Sequence, residues 1–165
     1  MALIAQNILR FILLVFVQVF VLNNIQLWGY LNPYLYVLFI LALPVRLPQW
    51  IELLLAFVLG LTIDMFSNTM GLHAFATVFL AFFRYPVIKL FAETEEGANP
   101  IPSFHTFGIA GYLKYVVTLV IIHHFVLFLL EAFTFTNISA LFLKALLSSL
   151  VTGLLIVAVQ LLKKE

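Results

Sequence analysis

Few residues in this chain carry side chains that do chemistry, and most of those lie inside apolar runs. Asp64 is the most informative. It stands near the end of the run from Leu53 to Phe66, followed by the polar stretch Ser67 to Met70 and then Gly71-Leu72-His73-Ala74. A carboxylate at the centre of a membrane-spanning helix costs about 2.5–3.5 kcal/mol on insertion scales. Counted along a helix from Trp50, Asp64 lies about 21 Å in, close to the far interface, where the cost falls. Two roles fit it. It can cap the helix that begins near Gly71, whose free amides favour a carboxylate, with His73 in reach of a hydrogen bond. It can also be a proton or cation site. The lack of a second acid beside it favours the cap.

His123-His124 and Glu131 are the other set to weigh, since positions 124 and 131 share a helix face and would suit a metal or a proton relay. Against this, no His or Glu at i+3 or i+4 completes a ligand cluster, and adjacent histidines point to different faces. Packing is the favoured role, as it is for Gln18, which reads as an interhelical hydrogen bond. No Ser-His-Asp order, HExxH or phosphate-binding Gly-rich loop is present. With no Cys there is no thiolate chemistry. Glu95-Glu96 sit in a solvated loop without a pocket. The expectation is a non-enzymatic protein with no cofactor, no metal and no catalytic residue.

The elements that must position these residues follow from composition. Of 165 residues, 65% are apolar and 9% charged, with a mean hydropathy of +1.19. A soluble domain averages about 45–50% apolar and about 25% charged residues, so these charges cannot cover a water-facing surface. A net charge of +1 leaves no basic face for nucleic acid. An all-α polytopic membrane protein is the reading that remains, a single integral membrane domain over residues 1–165.

A span needs roughly 20 residues. Apolar runs predict six spans, about 5–22, 31–45, 50–66, 71–90, 111–130 and 138–162. Asn23-Asn24 and Gly29 to Pro33 break the long uncharged stretch between Arg10 and Arg46. Asn32-Pro33 suits a helix start. No small-x-small cleavage site follows the first span, so it is expected to stay as a helix and not to act as a signal peptide. Six spans put Arg10, Arg46, Arg84, Lys89, Lys114, Lys163 and Lys164 on the side of the termini, and only Lys144 on the other. The positive-inside rule then makes both termini cytoplasmic. The long cytoplasmic connection, about 91–110, carries Glu93, Glu95, Glu96, Gly97, Asn99-Pro100 and Pro102 before an aromatic stretch from Phe104 to Phe107. Outer loops are short, and no extracytoplasmic domain is expected.

Small residues mark two seams. Ala56, Gly60 and Asp64 share one face of the third span, and Ala145, Ser149 and Gly153 one face of the sixth. Such spacing lets helices approach closely in lipid. The facing helix can belong to this chain, to a partner or to a second copy.

The stretch Leu53-Leu54-Leu55-Ala56-Phe57-Val58-Leu59-Gly60-Leu61-Thr62-Ile63-Asp64-Met65-Phe66-Ser67, followed by Gly71-Leu72-His73-Ala74, resembles the central signature of the bacterial rod shape-determining MreD family. That pattern is a Gly, three apolar or small positions, Asp, a short polar loop, then Gly-Leu-His/Asn-Ala. The chain's size, Pro33 and Arg84, where the family often has a basic residue, also fit. The resemblance covers about residues 5–92, and beyond them only hydropathy; the Glu93 to Gly108 segment is longer than in the family.

The resemblance implies a subunit of the cell-elongation machinery in the bacterial inner membrane. Its helices would be arranged like the substrate-binding subunit of energy-coupling-factor vitamin transporters. The implied partners are MreC, bound directly through its membrane helix, and in the wider complex MreB, RodA and a class B penicillin-binding transpeptidase, with membrane lipid around them. The third span and the Asp64/His73 corner are expected to dock MreC. A small-molecule binding subunit of a transporter is the alternative, and it requires a polar-lined cavity open to the outside. An intramembrane enzyme would need paired Asp, Ser/His or HExxH at membrane depth, and the sequence offers none.

Overall fold

A computed structural model describes residues 2–25, 32–92, 99–133 and 138–162. Gly29, Leu31 at the start of the expected second span, the acidic Glu93, Glu95 and Glu96, Gly97, and the basic Lys163 and Lys164, all used in the topology reading, lie outside them. The described residues form helices and no strand. They are α1 (Ala2–Phe20), the short α2 (Leu38–Leu41), α3 (Gln49–Ser67), α4 (Leu72–Phe91), α5 (Phe104–Ala132) and α6 (Ile138–Leu162). Five of them are long and apolar enough to cross a membrane.

Local chemistry sets the ends. Pro48 precedes α3, where its fixed φ and missing N–H do no harm. Asn68 stops α3 in the left-handed region at φ 55, which asparagine tolerates. Gly71, at φ 82, turns the chain into α4. Ser103 and Thr106 form a capping box at the start of α5. Gly108, at φ 69, then separates the aromatic turn Phe104 to Phe107 from the long helix. The expected 91–110 loop is therefore shorter among the described residues, because this cap starts helix before Gly111.

The expected second span over 31–45 is corrected. Helix covers only a 3-10 turn, Leu35–Val37, and α2. Every residue from Pro33 to Val45 is nonetheless buried. The segment runs the depth of the bundle: Asn32 and Tyr34 lie with Asn23, Ser67 and Thr69 around one cavity. At the other end Val45 N donates to Pro100 O at 3.0 Å and Arg46 N to Asn99 Oδ1 at 2.7 Å. Pro33 and Pro44 disfavour helix at the residues before them, and Pro44 has no N–H to give. Asn32-Pro33 does not start a helix, since Tyr34 sits at φ −110, ψ 72.

Non-helical backbone at membrane depth is tolerated only where protein meets its polar groups. Here the surrounding helices do so. Gln18 of α1 donates to Pro33 O at 3.0 Å and accepts from Tyr36 N at 3.3 Å. Thr152 of α6 accepts from Tyr34 N at 3.0 Å. The Tyr115 hydroxyl of α5 donates to Leu41 O at 3.0 Å. Arg10 donates to Ala42 O at 3.1 Å. Arg84 of α4 donates to Leu43 O and Pro44 O.

Arg84, counted above among the basic residues on the side of the termini, therefore reaches no aqueous face. It is wholly buried inside α4, which continues to Phe91. Its Nη1 meets Glu52 Oε2 at 3.2 Å and its Nε donates to Tyr115 Oη at 2.9 Å. As a topology marker it drops out. The first turns of α1 and the last turns of α6 still converge, since Gln6, Leu9 and Arg10 line one crevice with Val159 and Gln160.

Gln18→Leu keeps an apolar helix but abandons Pro33 O and Tyr36 N. Each orphaned group is expected to cost about 1–3 kcal/mol. Thermal unfolding of the purified protein in detergent should show a clearly lowered midpoint, while Leu13→Ala on the exposed face of α1 leaves it within a few degrees.

Candidate functional site

The α3–α4 corner starts from two small residues. Ala56 and Gly60 are buried on α3, and a Cβ at Gly60 would overlap the Ala74 backbone and Thr77 Oγ1. Only glycine lets the helices come this close. The seam of the third span thus faces this chain's own α4.

That approach brings Asp64 over the start of α4, where Gly71 supplies no capping side chain. Asp64 Oδ1 accepts from His73 N at 3.1 Å, and Oδ2 from Ala74 N at 2.9 Å. Oδ1 also meets His73 Nδ1 at 3.0 Å and the Thr69 hydroxyl at 2.5 Å. A carboxylate that is 2% exposed is acceptable at this depth because two helix-start amides, a hydroxyl and an imidazole all donate to it. Asp64 is the cap, supplied by the neighbouring helix. Thr77 Oγ1 closes the turn by donating to His73 O at 2.5 Å.

Behind the corner lies a buried polar and aromatic cluster. His73 packs edge-on to Tyr34 and Tyr36, with ring centres 5.6 and 6.0 Å apart. Tyr36 Oη lies 2.9 Å from His123 Nε2. His124 Nδ1 is 2.8 Å from Val120 O, a carbonyl that only accepts, so this nitrogen carries the proton. Its Nε2 is then free to accept from Thr152 Oγ1 at 3.1 Å, and that hydroxyl oxygen accepts from Tyr34 N. His124 is thus held at both ring nitrogens, whereas the wholly buried His123 is held at Nε2 and its Nδ1 has no hydrogen-bond partner. Glu131 does not face His124 but pairs with Lys144 at 3.0 Å. Among the described residues no group of three or more His, Asp or Glu could hold a metal.

A cavity of about 360 Å³ opens at this end, lined by Asn23, Asn32, Tyr34, Thr69, His73 and Glu131 among others. The short outer loops gave little sign of it, because its polar walls come mainly from helix ends and from the crossing segment. On α6, Ala145 and Ser149 are buried and Gly153 is half-buried. Ser149 and Gly153 line an apolar groove of about 300 Å³ against α5, and Gly153 faces open space there. This seam is only partly closed by the chain itself.

Of the residues singled out in the sequence, Gly60, Asp64, Gly71 and His73 meet in one corner. Arg84, Ala145, Ser149 and Gly153 stand elsewhere. Glu52, Tyr115, Tyr34 and Tyr36 were not anticipated. Glu52 and Arg84 carried a signal, since lone charges inside apolar helices seek each other. No family model, curated protein or solved structure matches the chain.

Asp64→Leu removes every acceptor from the start of α4, whereas Asp64→Asn keeps one oxygen. The expected loss is about 1.5–3 kcal/mol for leucine and visibly less for asparagine. Equal unfolding midpoints for the two variants in detergent would contradict the capping role.

Proposed function

We propose that this chain is a non-catalytic integral membrane subunit of the bacterial cell-elongation complex, of the MreD type. In this reading it sits in the inner membrane with both termini cytoplasmic. It helps to maintain rod shape by binding MreC and so organising peptidoglycan synthesis with MreB, RodA and a class B penicillin-binding transpeptidase.

One observation carries the reading. The residues of the resemblance meet in one corner: Asp64 and His73 are hydrogen-bonded, Gly60 lets α3 approach α4, and Gly71 turns the chain between them. The same corner bears on partner docking. Asp64 and His73 are too buried to touch another polypeptide, so they would act by fixing α3. The opposite face of that helix exposes Leu54, Phe57, Val58 and Leu61. A single membrane helix could pack there, since association in lipid rests on close packing.

A second reading keeps one observation of its own: the polar cavity beside His73 is the kind a small-molecule binding subunit of a transporter requires.

Depletion in the native cell separates the two. Loss of rod form with unchanged vitamin uptake supports the elongation role, and the reverse pattern supports transport. On the docking face, Leu61→Trp should cut recovery of co-purified MreC several-fold while the subunit itself still inserts. Undiminished recovery would remove α3 as the contact. Because the chain has no Cys, a single cysteine placed at either end reports its side directly. Labelling from the cytoplasm alone is expected.

A further inference from the structure

The cavity of about 360 Å³ at the Asp64 end of the bundle falls at the small end of the range that holds ligands, about 300–1,000 Å³. His73 forms part of its wall and is 6% exposed. Both of its ring nitrogens can be assigned. Nδ1 lies 3.0 Å from Asp64 Oδ1, a carboxylate oxygen that also receives the His73 amide and the Thr69 hydroxyl and can only accept, so Nδ1 carries the proton. Nε2 is left with a lone pair. It has no partner among the described residues, and it is not sealed off as Asn32 Oδ1 on the same wall is. The 8% of the His73 side chain that stays accessible therefore includes an acceptor atom at the cavity wall.

What this acceptor suits follows from the charges around it. Asp64 stands behind the ring, and a carboxylate on one imidazole nitrogen makes the other more basic. Glu131 of α5 is on the wall too; its Oε2 holds Lys144 at 3.0 Å, while its Oε1 makes no bond among the described residues. No lysine or arginine is among the described residues of the wall. A phosphate or carboxylate would meet only its own sign of charge there. A divalent metal would lack ligands, since no group of three His, Asp or Glu exists among the described residues. Phe66, Leu72 and Leu127 complete the wall beside Tyr34 and give an apolar body something to pack on.

We propose that this cavity binds an organic ammonium ion, a protonated primary amine on a small body, with one N–H donating to His73 Nε2. The charges of Asp64 and Glu131 hold the cation, and the bond to His73 selects an ammonium that still carries hydrogen. A quaternary ammonium has the charge but no N–H to give. A soluble amine and an ethanolamine lipid headgroup present the same group, so either can be the source. The inference rests on the second reading above for its site and names the ligand class for it. Binding by the purified chain and uptake by the cell fail separately, so the two remain distinguishable.

The test uses the full chain in a neutral detergent, with its four histidines isotope-labelled at the ring nitrogens and followed by NMR. Signals lost in His73→Gln assign that ring. Phenethylammonium should move the His73 Nε2 signal saturably. It should bind about tenfold more tightly than its trimethyl analogue, a difference of about 1.4 kcal/mol. Glu131→Gln should weaken it about threefold, the scale of a partly exposed charge, with the His73 signals otherwise in place. Equal binding of the trimethyl analogue, tighter binding of phenylpropionate, or a His73 signal that answers to pH alone would overturn the proposal. A second arm in phosphatidylcholine bilayers identifies the source. Movement of the same signal when phosphatidylethanolamine is mixed in makes the ligand a headgroup, and movement with phenethylammonium alone makes it a solute. No movement with either overturns the proposal as well. The comparison among probes is made on the wild-type chain and stands even if a variant folds poorly.

Discussion

The backbone of residues 32–47 carries more donors and acceptors than its own short helix can use, and hydrocarbon offers them nothing. Five polar side chains of the long helices answer to that constraint. Gln18 and Arg10 reach in from α1, Arg84 from α4, Tyr115 from α5 and Thr152 from α6, each ending on a backbone group of the crossing segment. Four long helices are tied in this way to a strand of chain that could not exist without them. The segment is also a spacer, because Tyr36, Val37, Phe39, Ile40, Leu41 and Leu43 fill the centre at 2% exposure or less.

Two polar clusters sit toward opposite ends of that segment and keep α3 and α4 in register with it. At one, Asp64 lies on the amides of α4 and His73 turns its ring toward Tyr34 and Tyr36. At the other, Arg84 bridges Glu52, Tyr115 and two carbonyls of the segment. Removing one partner of a buried charge pair leaves an uncompensated ion, which is more damaging than losing the pair altogether. Arg84 therefore couples three elements. Moving α4 relative to α3 would break the ion pair, the Tyr115 bond and the segment's last turn together. Between the clusters, Gly60 sets how near the two helices lie.

How much of this could be read beforehand depends on how local the cause is. The runs predicted over 50–66, 71–90 and 138–162 fall within a residue or two of α3, α4 and α6, since hydropathy and length act along a single helix. The Asp64 cap was legible too: its carboxylate, the four-residue loop and the helix start lie within ten residues. The segment over 31–45 was not. A buried irregular chain and a buried helix have the same hydropathy. The groups that make the irregular form tolerable come from as far away as Thr152, with nothing in the local sequence to announce them. Arg84 misled for a related reason, because counting positive charges for topology assumes that each one reaches an aqueous face.

What the interior has used up limits where a partner can act. In the middle of the bundle the polar groups face inward, and those that lack a partner there, His123 Nδ1, Ser148 Oγ and Ser149 Oγ, are buried. The helices there present leucine, isoleucine, valine and phenylalanine outward. Recognition at that level can be made only by shape, which suits another helix or an acyl chain and gives a polar ligand nothing to hold. Toward the ends, polar residues line two cavities. Asn32 Oδ1 at the wall of one cavity and Glu52 Oε1 at the wall of the other are buried oxygens without a partner. Both belong to residues next to the crossing segment or to the charge pair that anchors it. The apolar waist is left for association within the membrane, by the close packing that drives it there.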